Sequence, residues 1–251
     1  LEKEKKTIAI DYREMAPMAA TRDMFLDKIG NYSKSKARFS LLSAGVPGTV
    51  AGLSYALEKY GTFSWEEVIE PAAQLAKNGF VVSHDLANIL SLYKNRLASN
   101  PATAKAYYKK NKKPYIAGEI IRLPDLAWSL KQLKLNGPEA FYKGEIAKKI
   151  VAEMELNGGI ITLEDLASYR VAERTPLEGT YKGYQIVSMP PSSSGGVHLI
   201  QMLNMLEPFS LKELGFGSAD SIHLMSEVMK RAYADRSIYL GDKDFVEVPL
   251  L

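Results

Sequence analysis

Apolar and polar positions change period several times along the chain, and each change predicts an element. Residues 7–12, "TIAIDY", are β-branched and roughly alternating, which predicts a strand. After a loop with Pro17 and a turn around Gly30, "GVPGTVAG" (residues 45–52) leads into a helix. Its apolar positions Val50, Leu53, Leu57 and Tyr60 stand three or four apart. Ser64 and Glu67 in "SWEE" have capping-box spacing. The helix they start is expected to kink or restart at Pro71 and to stop near Gly79. Leu86, Ile89, Leu90, Tyr93 and Leu97 share one face of a third expected helix.

Two longer helical patterns cover residues 126–135 and 140–156, with Gly137 and Gly158-Gly159 placed as C-caps. "TLEDL" reads as a short capped helix. "PLEGTYKGYQIVSMP" reads as a hairpin turning at or near Lys182-Gly183. Two more helices are expected over residues 197–206 and 219–236. Helices dominate and strands are few, so the fold class is α+β, with a sheet too small to stand alone. With no internal repeat, low-complexity tract or linker, residues 1–251 read as a single, partial domain.

Composition narrows the function more than the fold. The chain is 46% hydrophobic and 24% charged over 251 residues, which is ordinary for a globular protein. A net charge of +3 offers no concentrated basic stripe, which argues against nucleic acid or an anionic membrane as partner. The absence of cysteine removes disulfides, a thiol nucleophile and thiolate-bound metal. No apolar run approaches the roughly 18 to 20 residues of a membrane span. The opening "LEKEKKTIAIDYRE" has no initiator Met and reads as a piece of a longer protein, so a missing targeting signal carries little weight.

Four groups of residues offer chemistry. "MPPSSSGG" (residues 189–196) could cradle an anion at a helix N-terminus or carry a serine nucleophile. It lacks the G-x-S-x-G elbow, and His198 four residues after Ser194 makes no triad. The plainer reading is favoured: Pro190 and Pro191 end a strand, Ser192 to Ser194 cap a helix, and Gly195 and Gly196 allow close packing. His84, His198 and His223 share no ligand spacing and read as structural or surface residues.

Asp242 and Asp244 in "YLGDKDF" lack the rest of a calcium loop, and Asp235 and Arg236 are expected to close a helix with local salt bridges. The four lysines of "YYKKNKKP" read as a solvated loop. Arg13 in "DYREMAP" enters an irregular loop from a strand end. Its rigid fork suits a carboxylate, yet beside Glu14 the surface ion pair is the favoured reading from these residues alone.

Five stretches then resemble one family when taken together: "DYREMAP" with "ATRDMFLD", "AGVPGTVAGL", "NGGIITLEDLASY", "RTPLEGTYKGYQIVSMPPSSSGG" and "AYADRSIYLGDKDFVEVP". In this order they resemble the gamma-glutamyltranspeptidase (glutathione hydrolase) family over nearly the whole chain. The resemblance implies a helix-rich fragment of an N-terminal-nucleophile (αββα) hydrolase, with a small part of its sheet. It also implies a precursor that cuts itself into a large and a small chain. The small chain's new N-terminal threonine then attacks γ-glutamyl amides such as glutathione, and the γ-glutamyl group passes to water or to an acceptor amino acid or peptide.

This sequence is similar to most of the large chain only. The resemblance therefore implies no catalytic residue here, no cofactor or metal, the small chain of the same precursor as partner, and a periplasmic or secreted location. Arg13 matches the family arginine that binds the substrate's α-carboxylate. The "SSSGG" turn matches the large-chain turn rather than the small-chain serine pair, and the lone fragment is expected to be inactive and to expose an unpaired sheet edge. Two rivals stand beside this reading: a serine amidase using "SSSGG", and a non-catalytic helical interaction module.

Overall fold

The computed structural model describes Leu1 and residues 5–250. Strand β1 (Ala9–Asp11) is followed by helices α1 (Lys34–Phe39), α2 (Thr49–Tyr60) and α3 (Trp65–Asn78), then β2 (Phe80–Val81). Helices α4 (His84–Leu92), α5 (Lys94–Leu97) and α6 (Pro101–Tyr107) lead to β3 (Tyr108–Lys109), β4 (Lys113–Pro114) and β5 (Ile120–Ile121). Next come α7 (Pro124–Asn136), α8 (Glu139–Tyr142), α9 (Glu145–Asn157) and α10 (Leu163–Ser168). Strands β6 (Ala172–Arg174), β7 (Leu177–Tyr181) and β8 (Tyr184–Ser188) precede α11 (Ser194–Leu206), α12 (Leu211–Leu214) and α13 (Ala219–Tyr239). The described strands pair only in twos, all antiparallel: β1 with β6, β2 with β5, β3 with β4, and β7 with β8. The mixed, helix-rich class expected from the sequence is the one observed.

Internal contacts divide the chain into two units, Tyr12–Val171 and a second made of Leu1–Asp11 with Ala172–Leu251. The first is built around a core of Val46, Tyr142, Ala147, Met154, Ile161, Leu166 and Tyr169. Three of these side chains are almost fully removed from water: Val46, Ala147 and Leu166. Helix α3 carries the expected capping box, in which Ser64 and Glu67 each satisfy the other's backbone N–H. Contrary to expectation it runs through Pro71 without restarting. The proline removes one ladder hydrogen bond, while the box holds the first turn and α7 lies along the helix. There Trp65 donates its indole N–H to the Leu133 carbonyl at 2.8 Å, and Lys134 sits between Glu66 and Glu70 at 2.9 and 2.8 Å.

Other boundaries also move. The third expected helix breaks at Tyr93 into α4 and α5, so its apolar face is not continuous: Leu90 is buried, while Ile89 and Tyr93 are about half exposed. The pattern over residues 140–156 is two helices parted at Lys143-Gly144, the second ending on left-handed Gly158. The lysine-rich stretch is a tight β3–β4 hairpin rather than a loop. Buried Tyr108 anchors it by donating its hydroxyl to the Leu90 carbonyl at 2.7 Å, and Lys109 pairs with Glu119.

In the second unit the β7–β8 hairpin closes as expected over Lys182-Gly183. Both residues have positive φ, the mark of a two-residue primed turn. Strand β6 brings Arg174 against Asp11, and the same guanidinium takes Asp244 bidentately at 2.8 and 2.5 Å. Asp244 therefore serves an ion pair. The Asp244 bonds, working against burial and joined by Asp11, push the Arg174 pKa up, and Arg174 holds the Asp244 carboxyl below the usual carboxylate range.

The two arms of this network differ in exposure. Arg174 and Asp11 are 9% and 12% exposed, whereas Asp244 is 53% exposed. Arg174→Ala, which leaves a buried carboxylate without its guanidinium, is expected to lower unfolding stability by about 3 kcal/mol or more. Asp244→Asn is expected to cost about 1 kcal/mol or less. Urea titration of the two variants checks the ranking, and equal losses would contradict it.

Candidate functional site

Arg13 lies in the first unit, and its backbone is fixed by contacts on several sides. Met15 exchanges backbone hydrogen bonds with Val46, at 3.2 Å one way and 2.8 Å the other. Tyr169 donates its hydroxyl to the Arg13 carbonyl at 2.8 Å. Tyr12 lies against the start of α2, where a Cβ on Gly48 would stand 2.0 Å from both the Tyr12 carbonyl oxygen and the Tyr169 hydroxyl. No side chain fits there, which is why "GVPGTVAG" carries glycine at this point.

Gly48 is the N-cap of α2 and has no side chain to offer the first turn. Tyr142 supplies the missing oxygen. Its hydroxyl accepts from the Ala51 N–H at 3.1 Å and donates to the Pro47 carbonyl at 2.8 Å. Burial pushes the Tyr142 phenol up in pKa, and the Ala51 bond offsets this only in part, so the group keeps its proton and its donor role. The rings of Tyr142 and Tyr169 stack at 5.7 Å, 12° from parallel. One buried pair of phenols thus caps α2 and holds the Arg13 loop.

Asp165 holds the next part of that loop. Its carboxylate accepts from the Met18 N–H at 2.7 Å and from the Thr162 N–H and hydroxyl at 2.8 and 2.7 Å, while its own N–H returns a bond to Thr162. The expected capping box of "TLEDL" is present, and it reaches beyond its own helix. Burial opposes the charge on Asp165, but the bonds from Met18 and Thr162 outweigh it and hold the carboxyl below its usual range. Helix α10 therefore grips the Arg13 loop twice, through Asp165 and through its C-cap Tyr169.

Above this rigid base the Arg13 head is accessible. Its side chain is 57% exposed and its Nε lies 3.8 Å from Glu14 Oε1, with Glu14 63% exposed. An exposed pair this long is worth well under about 1 kcal/mol. Both sequence readings of Arg13 are therefore compatible with the geometry: a surface ion pair at rest, and a carboxylate clamp poised on a fixed backbone.

The other residues singled out by the sequence are placed elsewhere. Pro190 and Pro191 are fully buried, Ser193 caps α11 by accepting from Gly195 N–H at 3.4 Å, and a Cβ on Gly196 would meet the Met189 carbonyl at 2.1 Å. Pro190, Pro191, Ser193 and Gly196 thus serve the turn into α11. Buried His198 stacks on Tyr233 at 6.0 Å. Asp235 and Arg236 lie within α13 rather than closing it, and the Asp235 carboxylate accepts from Gln201 of α11 across the packing of α11 and α13. His198 and Asp235 line a mostly apolar cavity of about 430 Å³ in the second unit. Among the described residues no cluster of His, Asp and Glu gathers as a metal site.

Sequence reasoning passed over Tyr142, Tyr169 and Asp165 as parts of the site. Their only signal was chemical: a phenol or carboxylate within an otherwise apolar stretch must find a partner if it is buried.

Comparison with known proteins places these features. The family model described as Gamma-glutamyltranspeptidase matches residues 1–251. The glutathione hydrolase proenzyme of Escherichia coli (strain K12) is 53% identical over 247 residues, 98% of this chain and 43% of its own length. The glutathione hydrolase proenzyme of Pseudomonas sp. (strain A14) is 44% identical over 241 residues, 96% of this chain and 42% of its own. The crystal structure of Helicobacter pylori gamma-glutamyltranspeptidase superposes with a TM-score of 0.93 at 47% identity, over 97% of this chain and 70% of that one. The chain spans about two fifths of the length of the curated relatives it matches.

A carboxyl whose folded pKa lies below its unfolded value of about 4 contributes stability that is fully present above that value. The contribution is lost as pH falls through the folded pKa. Wild-type stability owed to Asp165 should therefore hold at pH 7 and decline below about pH 4. Asp165→Asn is expected to cost about 2 kcal/mol at pH 7 and much less at pH 3. Urea midpoints of both proteins at the two pH values test this, and a loss independent of pH would contradict it.

Proposed function

The chain belongs to the gamma-glutamyltranspeptidase family, and on that premise we propose that it is the arginine-bearing part of an enzyme cleaving γ-glutamyl amides. Glutathione is the representative substrate, and the γ-glutamyl group passes to water or to an amino acid or peptide acceptor. The observation that carries the reading is the Arg13 site, where a fixed backbone presents an exposed guanidinium beside Glu14.

A γ-glutamyl donor carries a free α-carboxylate on its α-carbon, at the far end of the side chain from the γ-carbonyl. Arg13 pairs with that carboxylate in place of Glu14, and the charge-assisted bonds hold the γ-carbonyl at a set distance from the clamp. In this reading the attacking hydroxyl is the N-terminal threonine of a small chain cut from the same precursor. Its own α-amine takes the hydroxyl proton and passes it to the leaving amine as the amide C–N bond breaks, and a γ-glutamyl ester waits for water or the acceptor amine. This chain alone is then inactive, and the "SSSGG" turn carries no chemistry. In this reading the complete enzyme works in the periplasm or outside the cell.

In the complete protein Arg13→Ala is expected to lower kcat/KM for a γ-glutamyl anilide by about ten- to a hundredfold, the scale of losing a charged hydrogen-bonded partner. Near-normal hydrolysis by that variant would overturn the assignment. Intact mass followed over hours after purification is expected to show the full-length product splitting into two chains, the smaller beginning at threonine. A product that never splits, with a normal downstream sequence, would contradict the self-processing mechanism.

A further inference from the structure

We infer that Tyr169 is a positioning residue for substrate recognition: its hydroxyl, held by the stack with Tyr142, sets the backbone from which Arg13 reaches the substrate's carboxylate. The inference rests on the proposed role of Arg13 and adds to it the element that aims that side chain.

The guanidinium sits at the end of several rotatable bonds, so its reach depends on where the Arg13 Cα is fixed. Backbone bonds from Met15 to Val46 fix the chain two residues after Arg13. At Arg13 itself the carbonyl accepts from a side chain 156 residues away in sequence. The Tyr169 ring cannot swing, because Tyr142 stacks on it at 5.7 Å and both rings belong to the buried core. Tyr142 in turn is pinned at both lone pair and proton by Ala51 and Pro47. Gly48 completes the fit, since the space its side chain would fill is taken by the Tyr12 carbonyl and the Tyr169 hydroxyl. Removing the hydroxyl while keeping the ring therefore frees the Arg13 peptide without emptying the core.

The test uses the complete enzyme carrying Tyr169→Phe. KM for a γ-glutamyl anilide is expected to rise about three- to tenfold with kcat within about twofold, the scale of one neutral hydrogen bond. A substrate whose α-carboxylate is amidated is expected to feel no such change. In an Arg13→Ala background the same substitution is expected to add nothing further. Placing 4-aminophenylalanine at position 169, which restores a donor, is expected to return KM toward the wild-type value. Equal losses for both substrates, an additive loss in the Arg13→Ala background, or an unchanged KM would each overturn the positioning role. If Arg13→Ala alone leaves KM unchanged, the reading of Arg13 fails first and this inference fails with it.

Discussion

A buried phenol keeps its place in a protein core only if its hydroxyl finds a partner, and two such phenols organise the first unit. Tyr142 and Tyr169 lie face to face among Val46, Ala147, Met154, Ile161 and Leu166. Leaving either hydroxyl unbonded there would cost roughly 1–3 kcal/mol. Each is satisfied by backbone from a distant part of the chain: Tyr142 by the entrance of α2, Tyr169 by the carbonyl of Arg13. The requirement that stabilises the core is thus the same one that fixes the Arg13 loop.

This arrangement explains why segments far apart in sequence behave as one site. "DYREMAP" supplies the exposed cation, "GVPGTVAG" the side-chain-free surface it rests on, and "TLEDLASY" the helix that grips it through Asp165 and Tyr169. The "DYREMAP" loop is irregular, and its shape is set by the ends of the two helices it meets. The arginine head stays exposed, as the proposed role in binding a carboxylate requires.

The second unit follows a different logic, one of charge rather than phenols. Arg174 gathers Asp11 and Asp244 onto one guanidinium, using the planar fork that lysine could not reproduce. The carboxylates crowded near the end of the chain thereby find a structural use. Likewise the serine-glycine corner ends a strand and starts α11 with buried prolines and a serine cap.

The local features were legible in the sequence because they are decided within a few residues. The Ser64 and Thr162 caps, the glycine stop at Gly158 and the primed turn at Lys182-Gly183 depend on short-range hydrogen bonds and φ angles. The motif order was legible too, and with it the family and the mixed fold class. Only the tertiary structure decided what crosses long separations. It carried α3 through Pro71 by laying α7 alongside, broke the next helix at Tyr93, and gave Asp165 and Tyr169 to a loop about 150 residues earlier in the chain. The reason is physical: periodicity records which face of an element is buried, while the partner of a buried hydroxyl or carboxylate is fixed by packing between elements.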